Sequence, residues 1–238
     1  MAFRKAARMV IGTKNCLNNI PKKYHSKCRF IPVAGIDCGL FPQKTNIANK
    51  IITILYAGTI TDVKGLDLLI RALNKIKKFC DFKLNIAGSP TKSADDKAFY
   101  TYCVDLTEKL SLSQQVSFLG QISKQEMLKQ MRNCDIFCLP SLWEAFGVVI
   151  IEAMACSKPV IVVHSGGPAE IVNEEFGIKI PCLRLDQFID SLGQALLDLI
   201  KNPEKRMQMG SKARECAEKD FSWTVLGRKM QVVYEECV

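Results

Sequence analysis

The feature that most constrains the fold is a regular alternation of short apolar runs and longer amphipathic segments, which begins near residue 50. The runs "IITILYAG" and "FKLNIAG" are rich in aliphatic residues and end in glycine, as buried strands do before a turn. Between them, "GLDLLIRALNKIKKF" repeats leucine and isoleucine at helical spacing. The same alternation continues through "QVSFLG", "CDIFCLP", "KPVIVV" and "GIKIP". Since alternating strands and helices form a parallel sheet covered on both faces, we predict an α/β fold with helices flanking a parallel sheet.

The position of a ligand site follows from this architecture. Parallel sheets bind ligands at the carboxyl ends of their strands, where the N-termini of the following helices point. The segments of interest are therefore the loops that follow the predicted strands: "GTITDVKG", "GSP", "GQIS", "PSLWEAFG" and "HSGGPAE". Outside the alternation lie an N-terminal part with a Pro- and Gly-rich stretch, "RFIPVAGIDCGLFP", which predicts a hinge, and two helical segments beyond residue 202.

Composition limits the class of partner. A net charge of +9 favours acidic partners, but it does not choose between nucleic acid, anionic lipid headgroups and phosphorylated small molecules. The lysines are expected on solvated helix faces, and no basic run interleaved with aromatic residues indicates RNA binding, so we predict no nucleic-acid partner. Eleven scattered cysteines without a CxxC pair or a histidine cluster predict free thiols in a reducing cytoplasm and no metal site. No apolar run is long enough to span a bilayer or to serve as a signal peptide.

The first loop, "GTITDVKG", predicts a phosphate-binding corner. Gly58 closes a strand, and Lys64 stands just before a helix that begins near Gly65. A glycine turn, a helix N-terminus and a lysine together suit an anion. The spacing matches neither a Walker loop nor GxGxxG, and a lysine that is simply solvated remains the alternative.

The stretch "PSLWEAFGVVIIEAMA" holds two glutamates with seven residues between them. Gly147 is predicted to open a helix, so that its amide and that of Val148 face the crevice together with Glu144. Glu152 falls among aliphatic residues, where a carboxylate needs hydrogen-bond donors. Either the vicinal hydroxyls of a sugar or a neighbouring lysine would supply them. In the last loop, Glu170 lies in the first turn of a short helix, a position that the helix dipole alone favours.

Together these segments resemble a known family. The stretches "ILYAGTITDVKGLDLLIRAL", "VSFLGQIS", "CDIFCLPSLWEAFGVVIIEAMACSKPVIV" and "GGPAEIV" are similar to the retaining glycosyltransferases of the GT-B fold, which include glycogen and sucrose synthases and many bacterial mannosyl- and glucosyltransferases. The two glutamates match the E-x7-E motif of that family. The resemblance covers about residues 29–238 and implies a Rossmann-like domain, the C-terminal half of a GT-B fold.

The resemblance also implies roles for individual residues. Glu144 would contact the hydroxyls of the donor sugar as the catalytic residue, Lys64 would bind the diphosphate, and Glu152 would accept hydrogen bonds from the ribose. Gly120 and Ile122 would line the base pocket through their backbone. The full donor-binding set is Gly58, Thr59, Lys64, Gly120, Ile122, Phe146, Gly147, Val148 and Glu152. The family usually has an arginine where this chain has Thr59, so half of the usual diphosphate clamp is absent.

The implied organisation has three parts. Residues 1–35 would be a remnant of an N-terminal domain and the interdomain hinge, 36–205 the nucleotide-sugar-binding domain, and 206–238 the helices that pack on the missing N-terminal domain. The implied activity is a metal-independent, retaining hexosyl transfer from a nucleotide diphosphate sugar, which is a substrate, so that no cofactor is required. The acceptor domain would have to come from elsewhere, as an N-terminal domain or a partner chain.

Other functions stay open at this point. A decayed, non-catalytic nucleotide-sugar-binding or assembly module is the main alternative, favoured by Thr59 and by the missing first domain. A sugar-nucleotide epimerase of the same overall fold would also need that domain, and the E-x7-E motif speaks against it. The expected location is the cytoplasm, with a peripheral contact at the cytoplasmic face of a membrane as a further partner to test.

Overall fold

A computed structural model describes residues 2–41 and 51–237 of the 238-residue chain. In chain order the helices and strands are α1 (Ala2–Lys5), β1 (Met9–Ile11), β2 (Cys28–Phe30), β3 (Ile52–Ala57), α2 (Leu66–Ile76), β4 (Phe82–Ala87), α3 (Ala94–Lys109), β5 (Val116–Gly120), α4 (Lys124–Asn133), β6 (Ile136–Leu139), α5 (Val148–Ala155), β7 (Val160–Val163), α6 (Gly166–Ile171), β8 (Gly177–Ile180), α7 (Leu185–Lys201), α8 (Pro203–Phe221) and α9 (Trp223–Glu235). None of the helices in these two stretches is both long and apolar enough to cross a bilayer.

Six parallel strands form the central sheet, in the order β5-β4-β3-β6-β7-β8. The predicted α/β fold with a Rossmann-like parallel sheet flanked by helices is confirmed. The chain first winds outwards from β3 to β5 and then returns to place β6 on the other side of β3. The connections that follow β3 and β6 therefore lead to opposite sides of the sheet, and the switch point between these two neighbouring strands is where such folds bind ligands.

The sheet is buried because every strand at its centre is apolar on both faces. All four residues of β6 and of β7 are buried, and five of the six residues of β3 are. Helix α2 presents a buried face of leucine, isoleucine and alanine to this sheet and packs against α7. Helix α5 is apolar around most of its circumference, because it is enclosed between the sheet and α8. This enclosure explains why Glu152, which lies on α5, has mainly aliphatic neighbours in the sequence.

The N-terminal segment forms a small separate sheet. Strands β1 and β2 pair in parallel, and Ile31 packs with Leu226 and Val233 of α9 in a cluster apart from the main core. Helix α8 instead contributes Met209, Ala213, Ala217 and Phe221 to the core of the main sheet. The predicted boundary between residues 205 and 206 falls inside α8. The three-part division of the chain stays a prediction.

The loop that carries Lys64 is fixed by the glycine that follows it. Gly65 has φ +67°, and a Cβ at this position would overlap the carbonyl oxygen of Pro140 in the loop after β6. We expect Gly65→Ala to lower the free energy of unfolding by about 2 kcal/mol, because it adds both backbone strain and a steric clash. Urea unfolding followed by circular dichroism measures this change.

A matched control lies on α9. A Cβ at Gly227 would have no neighbouring atom within 4 Å, so Gly227→Ala should stabilise the protein by roughly 0.5–1 kcal/mol through helix propensity. Equal effects of the two alanine substitutions would contradict the close approach of the two loops at Gly65.

Candidate functional site

The two charged side chains predicted at the crevice meet at the switch point of the sheet. Lys64 ends a short 3-10 helix, Asp62–Lys64, after β3, and Glu144 lies in the loop after β6. Lys64 Nζ donates to Glu144 Oε2 at 2.5 Å, and the side chains are 19% and 17% exposed. The amide of Leu142 also donates to the carbonyl oxygen of Val63 at 2.8 Å. The sequence prediction placed both residues at the crevice but did not foresee their ion pair.

The N-terminus of α5 opens beside Glu144. Gly147 has φ +88° and precedes the first residue of α5, Val148, as predicted. Among the described residues no side chain caps this end of the helix, so its first amides are available to an anion. Phe146 is buried and anchors the loop, whereas Val148 is exposed at the rim.

A second glycine turn supports the Glu144 loop from behind. The amide of Gly167 donates to the carbonyl oxygen of Glu144 at 3.0 Å. Gly166 has φ +59°, and a Cβ there would overlap the same carbonyl oxygen. The glycine pair at the start of α6 therefore lets the backbone of the Glu144 loop approach closely. The close approach thus joins two parts of the chain itself.

Glu152 lies in the second turn of α5 and is half-buried. Its carboxylate makes no hydrogen bond or ion pair with any side chain in residues 2–41 and 51–237. Burial raises the pKa of the Glu152 carboxyl above its usual range, and the positive charge of Lys124 offsets part of that rise. The sequence left two donors open for Glu152, a neighbouring lysine or the hydroxyls of a sugar. Within the described residues, no lysine is hydrogen-bonded to the Glu152 carboxylate.

The other predicted donor-binding residues lie along the same carboxyl edge. Gly58 follows β3, and its amide donates a hydrogen bond to the carbonyl oxygen of Ala87. Thr59 is exposed, and its carbonyl oxygen accepts a hydrogen bond from the Tyr56 hydroxyl at 3.4 Å. Gly120 ends β5 with φ +66°, and Ile122 is partly buried in the loop that leads to α4.

Two buried hydroxyls near the switch point lack partners. Thr61 Oγ1 and Ser141 Oγ lie in the loops after β3 and β6, and neither has a hydrogen-bond partner in the described part of the chain. Buried polar atoms without partners are rare, and they often accompany a functional site. Sequence reasoning missed both residues, because a serine or threonine in a loop has no motif of its own.

Glu170 has a structural partner within the chain. Its two carboxylate oxygens accept from the backbone amides of Lys14, at 2.5 Å, and Asn15, at 3.0 Å. These amides belong to the start of the 3-10 helix Lys14–Asn19, so that Glu170 caps this helix and ties the N-terminal segment to α6. Glu170 therefore has a structural role, the docking of the N-terminal segment, in addition to its favourable position in the first turn of α6.

The doubly wound sheet with polar loops at its switch point defines the class: an α/β domain with the architecture of the GT-B glycosyltransferases. The family model described as "Glycosyl transferases group 1" matches residues 40–216, and the chain belongs to that family.

Relatives show how much of such a protein the chain represents. It is 34% identical over 182 residues to an uncharacterized glycosyltransferase of Methanocaldococcus jannaschii, which covers 76% of this chain and 47% of that protein. It is 27% identical over 231 residues to a GDP-mannose-dependent monoacylated α-(1-6)-phosphatidylinositol monomannoside mannosyltransferase of Corynebacterium glutamicum, with 94% and 57% covered. The chain thus spans about half the length of the curated relatives it matches.

A solved structure with the same fold is that of Anabaena HepE in complex with UDP. The TM-score is 0.83 at 20% identity, over 98% of this chain and 65% of HepE. This likeness concerns the fold, and the bound UDP is a property of HepE.

Proposed function

We propose that this chain is the donor-binding part of a retaining, metal-independent glycosyltransferase that uses a nucleotide diphosphate sugar and transfers its hexose. The observation that carries the proposal is the half-buried Glu152, whose carboxylate has no partner within the described chain and lies on the helix that opens at the switch point. A ribose offers two adjacent hydroxyl donors, which match the two oxygens of one carboxylate. The nucleotide would thus complete the hydrogen bonding of Glu152.

The charges at the switch point support the position of the diphosphate. Lys64 supplies one cation, and the uncapped N-terminus of α5 supplies amides and a positive dipole end beside it. In this structure the carboxylate of Glu144 accepts a hydrogen bond from Lys64. A bound diphosphate would take over Lys64 and release the Glu144 carboxylate towards the sugar hydroxyls, where the family resemblance places it.

These groups would stabilise the leaving group during transfer. The bond between the anomeric carbon and the diphosphate oxygen breaks, and Lys64 and the α5 amides stabilise the negative charge that develops on the diphosphate. The acceptor hydroxyl forms its bond to the anomeric carbon on the same face, and its proton passes to the departing diphosphate. The configuration at the anomeric carbon is therefore kept.

The acceptor site would lie outside this chain. Relatives of about twice its length match it over half of their sequence, and every role proposed above for a crevice residue concerns the donor. We therefore include in the proposal an acceptor-binding domain, either in the same polypeptide or in a partner chain.

Calorimetric titration tests the donor site. We expect saturable binding of at least one nucleoside diphosphate among UDP, GDP and ADP, and of its sugar conjugate, without added metal. Circular dichroism establishes that the protein is folded under the same conditions. A folded protein that binds none of the three diphosphates or their sugars would exclude the proposed function.

One observation favours a second candidate, a non-catalytic nucleotide-sugar-binding module. Thr59 is exposed where the family usually has an arginine, so a single cation would face the diphosphate. Turnover separates the two functions: a transferase releases nucleoside diphosphate from the donor once an acceptor domain and acceptor are added, whereas a binding module does not.

A further inference from the structure

Two enclosed hydroxyl groups lie in the loops that carry the switch-point ion pair. Thr61 stands three residues before Lys64, and Ser141 stands three residues before Glu144. Ser141 is 2% exposed, and in the two described stretches neither its hydroxyl nor that of Thr61 has a hydrogen-bond partner. Such a hydroxyl lowers the stability of the folded protein, because water bonds to it in the unfolded chain. The hydrogen-bonding capacity of both groups is therefore open to a ligand.

The local structure does not use either hydroxyl. Thr61 is the N-cap residue of the 3-10 helix Asp62–Lys64, where a threonine side chain usually accepts from an amide of the first turn. Its side chain makes no such bond, and the amide of Lys64 donates instead to the carbonyl oxygen of Thr61 at 3.0 Å. Ser141 follows the end of β6 by two residues and lies outside the helices and strands. Backbone capping therefore explains neither side chain.

The two loops meet along a common seam at the switch point. The amide of Leu142, next to Ser141, donates to the carbonyl oxygen of Val63 at 2.8 Å. The hydrogen bond from Lys64 to Glu144 is a side-chain link between the same two loops. A ligand that binds Lys64 in place of Glu144 would remove this link, so that the loops can separate enough to admit a ligand oxygen to the enclosed hydroxyls.

We propose that the hydroxyls of Thr61 and Ser141 donate hydrogen bonds to the diphosphate of the donor, a role that rests on the proposed function. Phosphate oxygens are charged acceptors, and hydrogen bonds to them are stronger than bonds between neutral groups. Lys64, in the same loop as Thr61, selects an anion over a neutral sugar hydroxyl at this place. The two donors supply part of the stabilisation that the chain lacks where Thr59 replaces the arginine of the family.

Calorimetric titration of Thr61→Val and of Ser141→Ala tests this proposal, with UDP, GDP and ADP as the ligands. For the diphosphate that binds the wild type, we expect each substitution to weaken binding roughly tenfold, as the loss of one hydrogen bond to a charged group does. Each variant should also unfold at a higher urea concentration than the wild type, because an enclosed hydroxyl without a partner is removed. Since these ligands carry no donor sugar, a loss of affinity places the contact at the nucleotide.

Two hydroxyls elsewhere in the chain provide matched controls. Ser157 Oγ is also enclosed and lacks a partner among the described residues, but it lies between α5 and the amino end of β7, away from the switch point. Ser157→Ala should raise the urea midpoint and leave the affinity within roughly twofold. The buried hydroxyl of Thr107 in α3 donates to the carbonyl oxygen of Cys103 at 2.8 Å. Thr107→Val should therefore lower the urea midpoint without changing the affinity.

The conservative variant Thr61→Ser keeps the hydroxyl and should keep the affinity within roughly threefold, which separates the donor from the shape of the side chain. Circular dichroism verifies the fold, and if one of Thr61→Val and Ser141→Ala does not fold, the other decides. Wild-type affinity in the folded variants would overturn this proposal alone. Lower stability with wild-type affinity would also overturn it, because the hydroxyls would then bind an internal water. A wild type that binds none of the three diphosphates would overturn the proposed function as well.

Discussion

Replacing Lys64 by methionine is expected to weaken the binding of a nucleoside diphosphate roughly 100-fold. A charge-assisted hydrogen bond to phosphate contributes about 1.5–3 kcal/mol, and this factor corresponds to the upper part of that range. We expect a large loss because the family resemblance implies a second cation at the position of Thr59, which this chain lacks, and Lys64 is the cation that pairs with Glu144 at the switch point. Methionine keeps an unbranched apolar side chain of similar length, so the substitution removes mainly the charge. Calorimetric titration measures the change in affinity.

Two further variants separate the phosphate contact from general charge effects. Lys92→Met removes an exposed positive charge from the loop after β4, and the affinity should stay within roughly threefold, since exposed charges contribute little. Glu144→Gln removes the carboxylate that holds Lys64 in the free protein. It should strengthen the binding of a diphosphate that carries no sugar. Wild-type affinity in Lys64→Met, with the variant folded, would show that the diphosphate binds elsewhere.

The sequence sufficed for the architecture because the signals are local. Each strand is a short apolar run, helices such as α2 carry apolar residues at helical spacing, and strict alternation of the two favours a parallel sheet. The loops after the strands then had to lie at one edge. That argument brought Lys64 and Glu144 to the same crevice, although 80 residues separate them in the chain.

The strand order and the contacts within the crevice depend on long-range packing. The pairing of β3 with β6 makes Lys64 and Glu144 direct neighbours, and no local pattern encodes this pairing. The same holds for Arg214 on α8, whose guanidinium donates to the carbonyl oxygens of Cys38, Phe41 and Ala155. Those acceptors are backbone groups, which leave no trace in the residue types. Thr61 and Ser141 escaped notice for the related reason that an absent partner has no sequence signal.

Glu152→Gln should have two opposite effects, on binding and on stability. In the free protein, burial raises the pKa of the Glu152 carboxyl, so folding disfavours its charged form. At pH 7 the neutral, isosteric amide should therefore raise the free energy of unfolding by roughly 0.5–1 kcal/mol. The pKa of Glu152 is higher in the folded than in the unfolded wild type, so the charged carboxylate lowers the free energy of unfolding at pH values above the folded-state pKa. This loss of stability shrinks as the pH falls through that pKa, because the carboxyl becomes protonated. Urea unfolding should accordingly show the stability gap between variant and wild type narrowing in acid.

The same substitution should weaken the binding of the ribonucleotide ligand roughly 100-fold, because the two ribose hydroxyls lose a charged acceptor. A 2′-deoxy ligand provides the matched control in a thermodynamic cycle. The 2′-deoxy ligand should bind the wild type more weakly than the ribonucleotide does. Glu152→Gln should reduce the affinity for the 2′-deoxy ligand much less, since this ligand already lacks one of the two hydroxyl donors. Equal losses for the two ligands would mean that Glu152 does not contact the 2′-hydroxyl. A Glu152→Gln variant that is less stable and binds the nucleotide normally would show instead that the carboxylate stabilises the fold. If the carboxylate serves the ligand, its replacement should make the ligand-free protein more stable, because a buried charge without a partner is removed.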